Sequence, residues 1–252
     1  MKTPSLTAAA SMFAAALMLS PVAEAAEIKV IAGGSMTASL NALAPEFENA
    51  TGHKLVIHFD STPSIIARVT SGTPFDAVVV PVDVFKDAAA KARFAPGPTI
   101  DIARVGYGVI VRSGAPKPDI STSDGFKKTL LDAPSIAFLP ASAAGAYVTK
   151  VFERLGIGDA MKAKTKVQGT PAQIPQAVAK GEAEFGVFLT NVLIAPGVEL
   201  VGPFPADLQQ ELVFAAAIAA DTKEADAAKA LIEYLKTPAA NAVIKAKGMT
   251  PG

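Results

Sequence analysis

The chain has no cysteine, no tryptophan and only two histidines in its 252 residues. Without thiols it forms no disulfide, uses no thiolate nucleophile and carries no lipoprotein acceptor at a processing site. His53 and His58 lack the spacing of a zinc-ligating pair and read as structural side chains. An excess of charge is also missing. The 23 basic and 23 acidic residues cancel, which excludes a generalised nucleic-acid or anionic-membrane surface. Lys162, Lys164 and Lys166, and Lys245 with Lys247, read as solvated helix faces. Beyond the N-terminal segment no stretch approaches the roughly 18 uninterrupted apolar residues of a membrane span. The glycine-rich turns lack the Lys-Ser/Thr of a phosphate-binding loop, and Gly33-Gly34-Ser35-Met36 lacks the flanking pattern of a hydrolase nucleophile elbow. No cofactor is expected.

What is present begins with an export signal. Lys2 precedes an apolar run from Leu6 to Leu19, followed by Pro21-Val22-Ala23-Glu24-Ala25-Ala26. Small residues at this spacing suit signal-peptidase cleavage after Ala25. Residues 1–25 are therefore expected to be removed, leaving a freely diffusing monomer in the periplasm.

The mature chain alternates short β-branched runs with helical stretches, the pattern of an α/β protein with mainly parallel sheets. Two stretches repeat one plan. A strand to Phe59 leads through Asp60-Ser61-Thr62-Pro63 into a helix ending at Gly72, and Lys166-Val167 leads through Gly169-Thr170-Pro171 into a helix ending at Gly181. Thr at N-cap with Pro at N1 suits both helix starts. The repetition implies two similar lobes. Two long apolar strands, Val105–Val111 and Leu212–Ala219, are placed to carry the chain into the second lobe and back. The expected division is 26–104 plus 215–252 for lobe one and 105–214 for lobe two. An amphipathic helix after Asp221 should return to pack on lobe one. A cleft between two lobes joined by two crossings is the usual place for a small ligand.

The stretch Ile28-Lys29-Val30-Ile31-Ala32-Gly33-Gly34-Ser35-Met36-Thr37 reads as a strand ending in a small-residue turn at a helix start. Unpaired amides there, with the Ser35 hydroxyl, can donate to an anion without any Lys or Arg. Equally, Ser35 could cap its own helix.

Four stretches then carry a family resemblance: Ala32-Gly33-Gly34-Ser35-Met36, Ile66-Ala67-Arg68-Val69-Thr70-Ser71-Gly72-Thr73-Pro74-Phe75-Asp76, Ala143-Ala144-Gly145-Ala146-Tyr147 with Phe152-Glu153-Arg154-Leu155-Gly156, and Gly181-Glu182-Ala183-Glu184-Phe185-Gly186. Together they resemble the periplasmic solute-binding proteins of ABC importers, and more closely the molybdate-binding family. The resemblance implies the type II two-lobe binding fold, a small anionic ligand in the cleft and an ABC permease of the inner membrane as partner. It places Ser35, with Met36 beside it, at the first ligand serine, and the second among Ser61, Thr62 and Ser64. Ala144 and Gly145 before Tyr147 match a backbone donor, and another lies near Thr170. The family's ligand tyrosine is replaced by Leu189, with Thr190 and Asn191 beyond it as substitute polar groups.

That replacement, with Pro63 disturbing the second serine, predicts a departure from strict molybdate or tungstate selection towards a small organic carboxylate lying against Leu189. The chain is expected not to be an enzyme. The alternatives are a strict molybdate or tungstate binder, a ligand sensor presenting to a membrane receptor and, remotely, an exported hydrolase using Ser35 with His58.

Overall fold

The structure, a computed structural model, describes residues 25–252. The expected signal segment lies outside these residues except for its last alanine. The first part of the chain runs β1 (Glu27–Gly33), α1 (Thr37–Thr51), β2 (Lys54–Asp60), α2 (Thr62–Thr70), β3 (Ala77–Pro81), α3 (Ala88–Lys91) and the long β4 (Ile100–Arg112). There follow α4 (Ser123–Asp132), β5 (Ile136–Phe138), α5 (Ala143–Arg154), α6 (Gly158–Lys164), β6 (Thr165–Val167), α7 (Gln173–Ala179), β7 (Phe185–Leu189), α8 (Thr190–Leu193) and β8 (Val198–Pro203). The chain closes with β9 (Glu211–Ile218), α9 (Ala225–Leu235), α10 (Pro238–Ala246) and β10 (Thr250–Pro251).

The strands run β2-β1-β3-β9-β4-β7-β5-β6. The order is continuous because β4 serves both lobes. Its first half, Ile100–Gly106, pairs antiparallel with β9, and its second half, from Tyr107, pairs antiparallel with β7 and, from Gly108, with β8. On the outer flanks the pairing is parallel, β1 with β2 and β3, and β5 with β6 and β7. Each parallel pair is joined through a helix, as a parallel crossover requires.

Burial follows the strand period of two. On β1, Ile28, Val30 and Ala32 face one core with Leu40, Leu43 and Phe47 of α1, while Ile31 faces a smaller core with Ile65 and Val69 of α2 and with Val78 and Val80. Both faces of the sheet are thus covered, which accounts for the uninterrupted apolar run of β3. Ile65 and Val69 are fully buried, each worth about 1.5–3 kcal/mol in apolar transfer, and they hold α2 against the sheet with its N-terminus at the cleft. α1 ends at Gly52, whose φ of 78° is the left-handed C′ conformation. The C-terminal segment packs on lobe one through Tyr234, whose ring lies 5.4 Å from Phe47 and whose hydroxyl donates to Glu46.

Two helix starts differ from expectation. α2 has Ser61 rather than Thr62 at its N-cap, with Pro63 one residue further in. α7 begins only at Gln173, because the Gln173 side chain folds back to accept from the Gly169 and Thr170 amides and holds that stretch as a turn.

Candidate functional site

The carboxyl ends of β1, β2 and β7 and the N-termini of α2 and α5 meet between the lobes. Among the described residues two direct hydrogen bonds cross the gap. The Ala143 N–H, in the first turn of α5, donates to Thr62 Oγ1 at 3.1 Å, and Asn191 Nδ2 donates to the Ser35 carbonyl at 2.8 Å. The lobes are therefore closed on one another, with a compartment on either side.

The first compartment has a volume of about 390 Å³ and is lined by Ser35, Phe59, Asp60, Ser61, Thr170, Pro171, Asn191 and Ile194 among others. Among the described residues Asp60 is the only charged one on its lining. One Asp60 oxygen accepts from the Ser61 N–H at 2.7 Å, and the other lies 3.4 Å from His58 Nε2. The second compartment, about 680 Å³, is lined by Thr62, Pro63, Asp83, Lys86, Tyr107, Ser142, Ala143, Tyr147, Lys150 and Gln210 among others.

The expected site residues divide between these spaces and the interior. Ser35 is 8% exposed and faces the first compartment. Neither the 3-10 turn Gly34–Met36 nor α1 has a side-chain cap, so the Ser35 hydroxyl does not close its own helix. Met36 is corrected: its side chain is fully buried in the core beneath α1, which leaves only its backbone near the cleft. Ser61 and Ser64 pair with each other, Oγ to Oγ, at 3.1 Å. Thr62 holds the interlobe bond. Ala144 is buried, and the Gly145 amide is engaged by Ser142 Oγ, the N-cap of α5, at 2.9 Å. A Cβ on Gly145 would lie 1.8 Å from the Leu139 carbonyl, so that glycine is a packing requirement of the helix start.

Tyr147 borders the second compartment, but its hydroxyl donates to the Leu208 carbonyl at 2.7 Å, and burial raises its pKa. Thr170 lines the first compartment. Thr190 turns its hydroxyl to the Gly106 carbonyl at 3.3 Å, away from a ligand role. Asn191 is 8% exposed, and its Oδ1 is buried without a partner among the described residues. Leu189 is fully buried. His58 makes its side-chain contact with Asp60, so no bond of nucleophile to base joins Ser35 and His58.

Tyr107, Lys150 and Gln210 line the second compartment without having been singled out by the sequence. Tyr107 lies within a long apolar strand, and its period-two pattern marks it only as a core residue. Among the described residues no group of three or more His, Cys, Asp or Glu is arranged to hold a metal, and no helix is long and apolar enough to cross a membrane.

Residues 28–250 match the family model described as bacterial extracellular solute-binding protein. The chain is 32% identical over 232 residues to a protein named aconitate isomerase from Pseudomonas sp, with 89% of this chain and 87% of that one covered. It is also 32% identical over 238 residues to the molybdate-binding protein ModA of Azotobacter vinelandii, with 92% of each covered. The solved Azotobacter vinelandii periplasmic molybdate-binding protein superposes with a TM-score of 0.71 at 24% identity, over 88% of this chain and 98% of that one. A two-lobe α/β architecture with polar groups converging between the lobes, matched along nearly the whole described chain, places this protein in the bacterial extracellular solute-binding protein family.

Proposed function

We propose that this protein captures a small organic carboxylate in the interlobe cleft, outside the cytoplasm, and delivers it to an ABC permease. The observation that carries the reading is the supply of hydrogen-bond donors. A desolvated tetrahedral oxyanion needs nearly all its oxygens bonded. Here the Tyr147 and Thr190 hydroxyls, one of the two paired Ser61–Ser64 hydroxyls and the Gly145 amide are engaged as donors within the protein. Leu189 offers no donor at all. What remains around the first compartment is the Ser35 and Thr170 hydroxyls and the one proton that the Ser61–Ser64 pair leaves over, while the Ala143 amide of α5 is held by Thr62 Oγ1, which occupies the acceptor position that a ligand oxygen would take. Such a set suits one carboxylate and a less polar body lying against Phe59, Pro171 and Ile194.

The lobes are taken to move as 26–104 with 215–252 against 105–214, bending where β4 leaves the first sheet and where the chain re-enters it before β9. Titration calorimetry of the mature chain tests the ligand class. Binding of organic acids with weak or no response to molybdate is the expected outcome, and submicromolar molybdate binding with no organic ligand overturns it.

A second reading is supported by the similarity to the relative named aconitate isomerase: the cleft converts its organic acid rather than only carrying it. Asp60, in contact with the first compartment, is the carboxylate placed to move a proton. Proton NMR of cis-aconitate incubated with the protein separates the two. An unchanged spectrum supports transport, and appearance of the trans isomer establishes catalysis.

A further inference from the structure

We propose that the second compartment is an anion subsite centred on the Tyr107 hydroxyl, and that the ligand carries at least two carboxylates. This deepens the organic-acid reading above and rests on it.

Tyr107 sits on β4 where the strand passes from one sheet to the other. Its backbone is held at both polar groups by the Gln209 side chain, the Tyr107 N–H donating to Oε1 and Nε2 donating to the Tyr107 carbonyl, each at 2.9 Å. Its ring packs against Tyr147 at 4.8 Å and Phe204 at 5.6 Å between centroids. The residue is only 1% exposed, yet it lines the second compartment, and its hydroxyl makes no hydrogen bond among the described residues. Tyr147 beside it has found the Leu208 carbonyl. A fixed hydroxyl that opens onto the compartment, and is not one of the buried polar atoms sealed off without a partner, costs little while water reaches it. It is useful where a ligand brings the acceptor. Burial holds the Tyr107 phenol well above its ordinary ionisation range, so it remains a donor throughout the neutral range.

The charge around the two compartments assigns the ends of the ligand. Asp60 is the charged group of the first. The second has Lys86 and Lys150 against Asp83, a surplus of one positive charge from two cations and one anion. Asp83 is paired with Lys86 at 2.7 Å, whereas Lys150 has no ion-pair partner among the described residues. The start of the 12-residue helix α5 borders the same space through Ser142 and Ala143, adding the positive end of a helix dipole. One carboxylate at the Ser35 hydroxyl therefore leaves a second to meet Tyr107, Lys150 and the start of α5, with the carbon skeleton replacing the Thr62–Ala143 contact between them.

Calorimetry with butyrate, succinate, tricarballylate, cis-aconitate and molybdate, on the native protein and on Tyr107→Phe and Lys150→Met, tests this. Succinate or a tricarboxylate should bind at least about tenfold more tightly than butyrate. Tyr107→Phe, which keeps the ring and its packing, should remove about tenfold from the multivalent acids and leave butyrate unchanged. Lys150→Met, a change at an exposed position, should weaken the same ligands and flatten their salt dependence. Equal affinity for butyrate and succinate, or full affinity for succinate and the tricarboxylates in both variants, overturns the subsite while the organic-acid reading stands. Binding of molybdate alone overturns both.

Discussion

At the residue scale the site depends on a few polar groups whose partners can be named. Ser35 is nearly buried, caps no helix and faces the first compartment. Ser35→Ala is therefore expected to lower ligand affinity about ten- to hundredfold, the loss of one charge-assisted bond of about 1.5–3 kcal/mol, with the melting temperature unchanged. Calorimetry beside a thermal melt checks both halves. If the melting temperature falls and affinity holds, the hydroxyl serves the fold instead. Gly145 represents the opposite case. Its absent Cβ would lie 1.8 Å from a backbone carbonyl, which cannot swing aside as a side chain could. Gly145→Ala should destabilise the chain by about 3 kcal/mol or more, read as a lowered denaturant midpoint with unchanged slope.

At the scale of elements, the interlobe bonds and the joints between helix and strand decide behaviour. Thr62, at the start of α2, accepts from Ala143 at the start of α5, so one hydroxyl links the two helix ends across the cleft. Thr62→Val keeps the side-chain shape and removes the acceptor. Small-angle scattering of the ligand-free protein should then report a larger radius of gyration, because the closed arrangement loses one of its two cross-cleft bonds. An unchanged radius would mean that Asn191 alone holds the lobes.

Elsewhere, Glu48 at the end of α1 accepts from the Leu55 N–H at 2.9 Å and from Lys54 Nζ at 2.8 Å, tying α1 to β2. These bonds, the Leu55 amide first, hold the carboxyl below its ordinary 4.5. A carboxyl depressed in the folded state stabilises it fully above the unfolded value and loses that stabilisation as pH falls through the folded one. Melting temperature should therefore decline below about pH 4.5, and Glu48→Gln should flatten that decline. A parallel decline in the variant would assign the acid sensitivity to other groups.

For the whole molecule, closure is expected to be coupled to binding. Asn191 crosses to the Ser35 carbonyl and leaves its own Oδ1 buried and unpartnered, a desolvation penalty of about 1–3 kcal/mol that opposes closure without ligand. A ligand that binds across both lobes must stabilise the native state, by about 2.7 kcal/mol at a hundredfold excess over its Kd. Thermal-shift screening with organic acids and oxyanions should thus give a concentration-dependent rise for the true ligand class and none for the others. Scattering with a saturating ligand should show no expansion, since the lobes already meet in this structure.

Much of this was legible in the chain by itself. Alternating apolar runs and helical stretches made an α/β protein, because a strand buried on both faces must be apolar throughout, as Ala77–Pro81 is. The small-residue turn before Ser35 and the glycine after Thr51 followed from local backbone sterics. Ala144 and Gly145 were marked as a backbone donor only by the family resemblance, and the structure shows that a helix starts there. Three things were decided only by tertiary structure. Met36 sits beside Ser35 in sequence, but helical geometry turns its side chain into the core. Thr190 carries a hydroxyl in a suitable place along the chain, yet a neighbouring carbonyl on β4 takes it. Tyr107 looked like one more core position in a long strand, and it borders the cleft only because the second half of that strand leaves one sheet for another. Local sequence determines which elements form and where they stop. Which polar atoms remain free for a ligand depends on every partner that the fold brings within hydrogen-bonding distance, and those partners are here as far apart in the chain as Ser35 and Asn191.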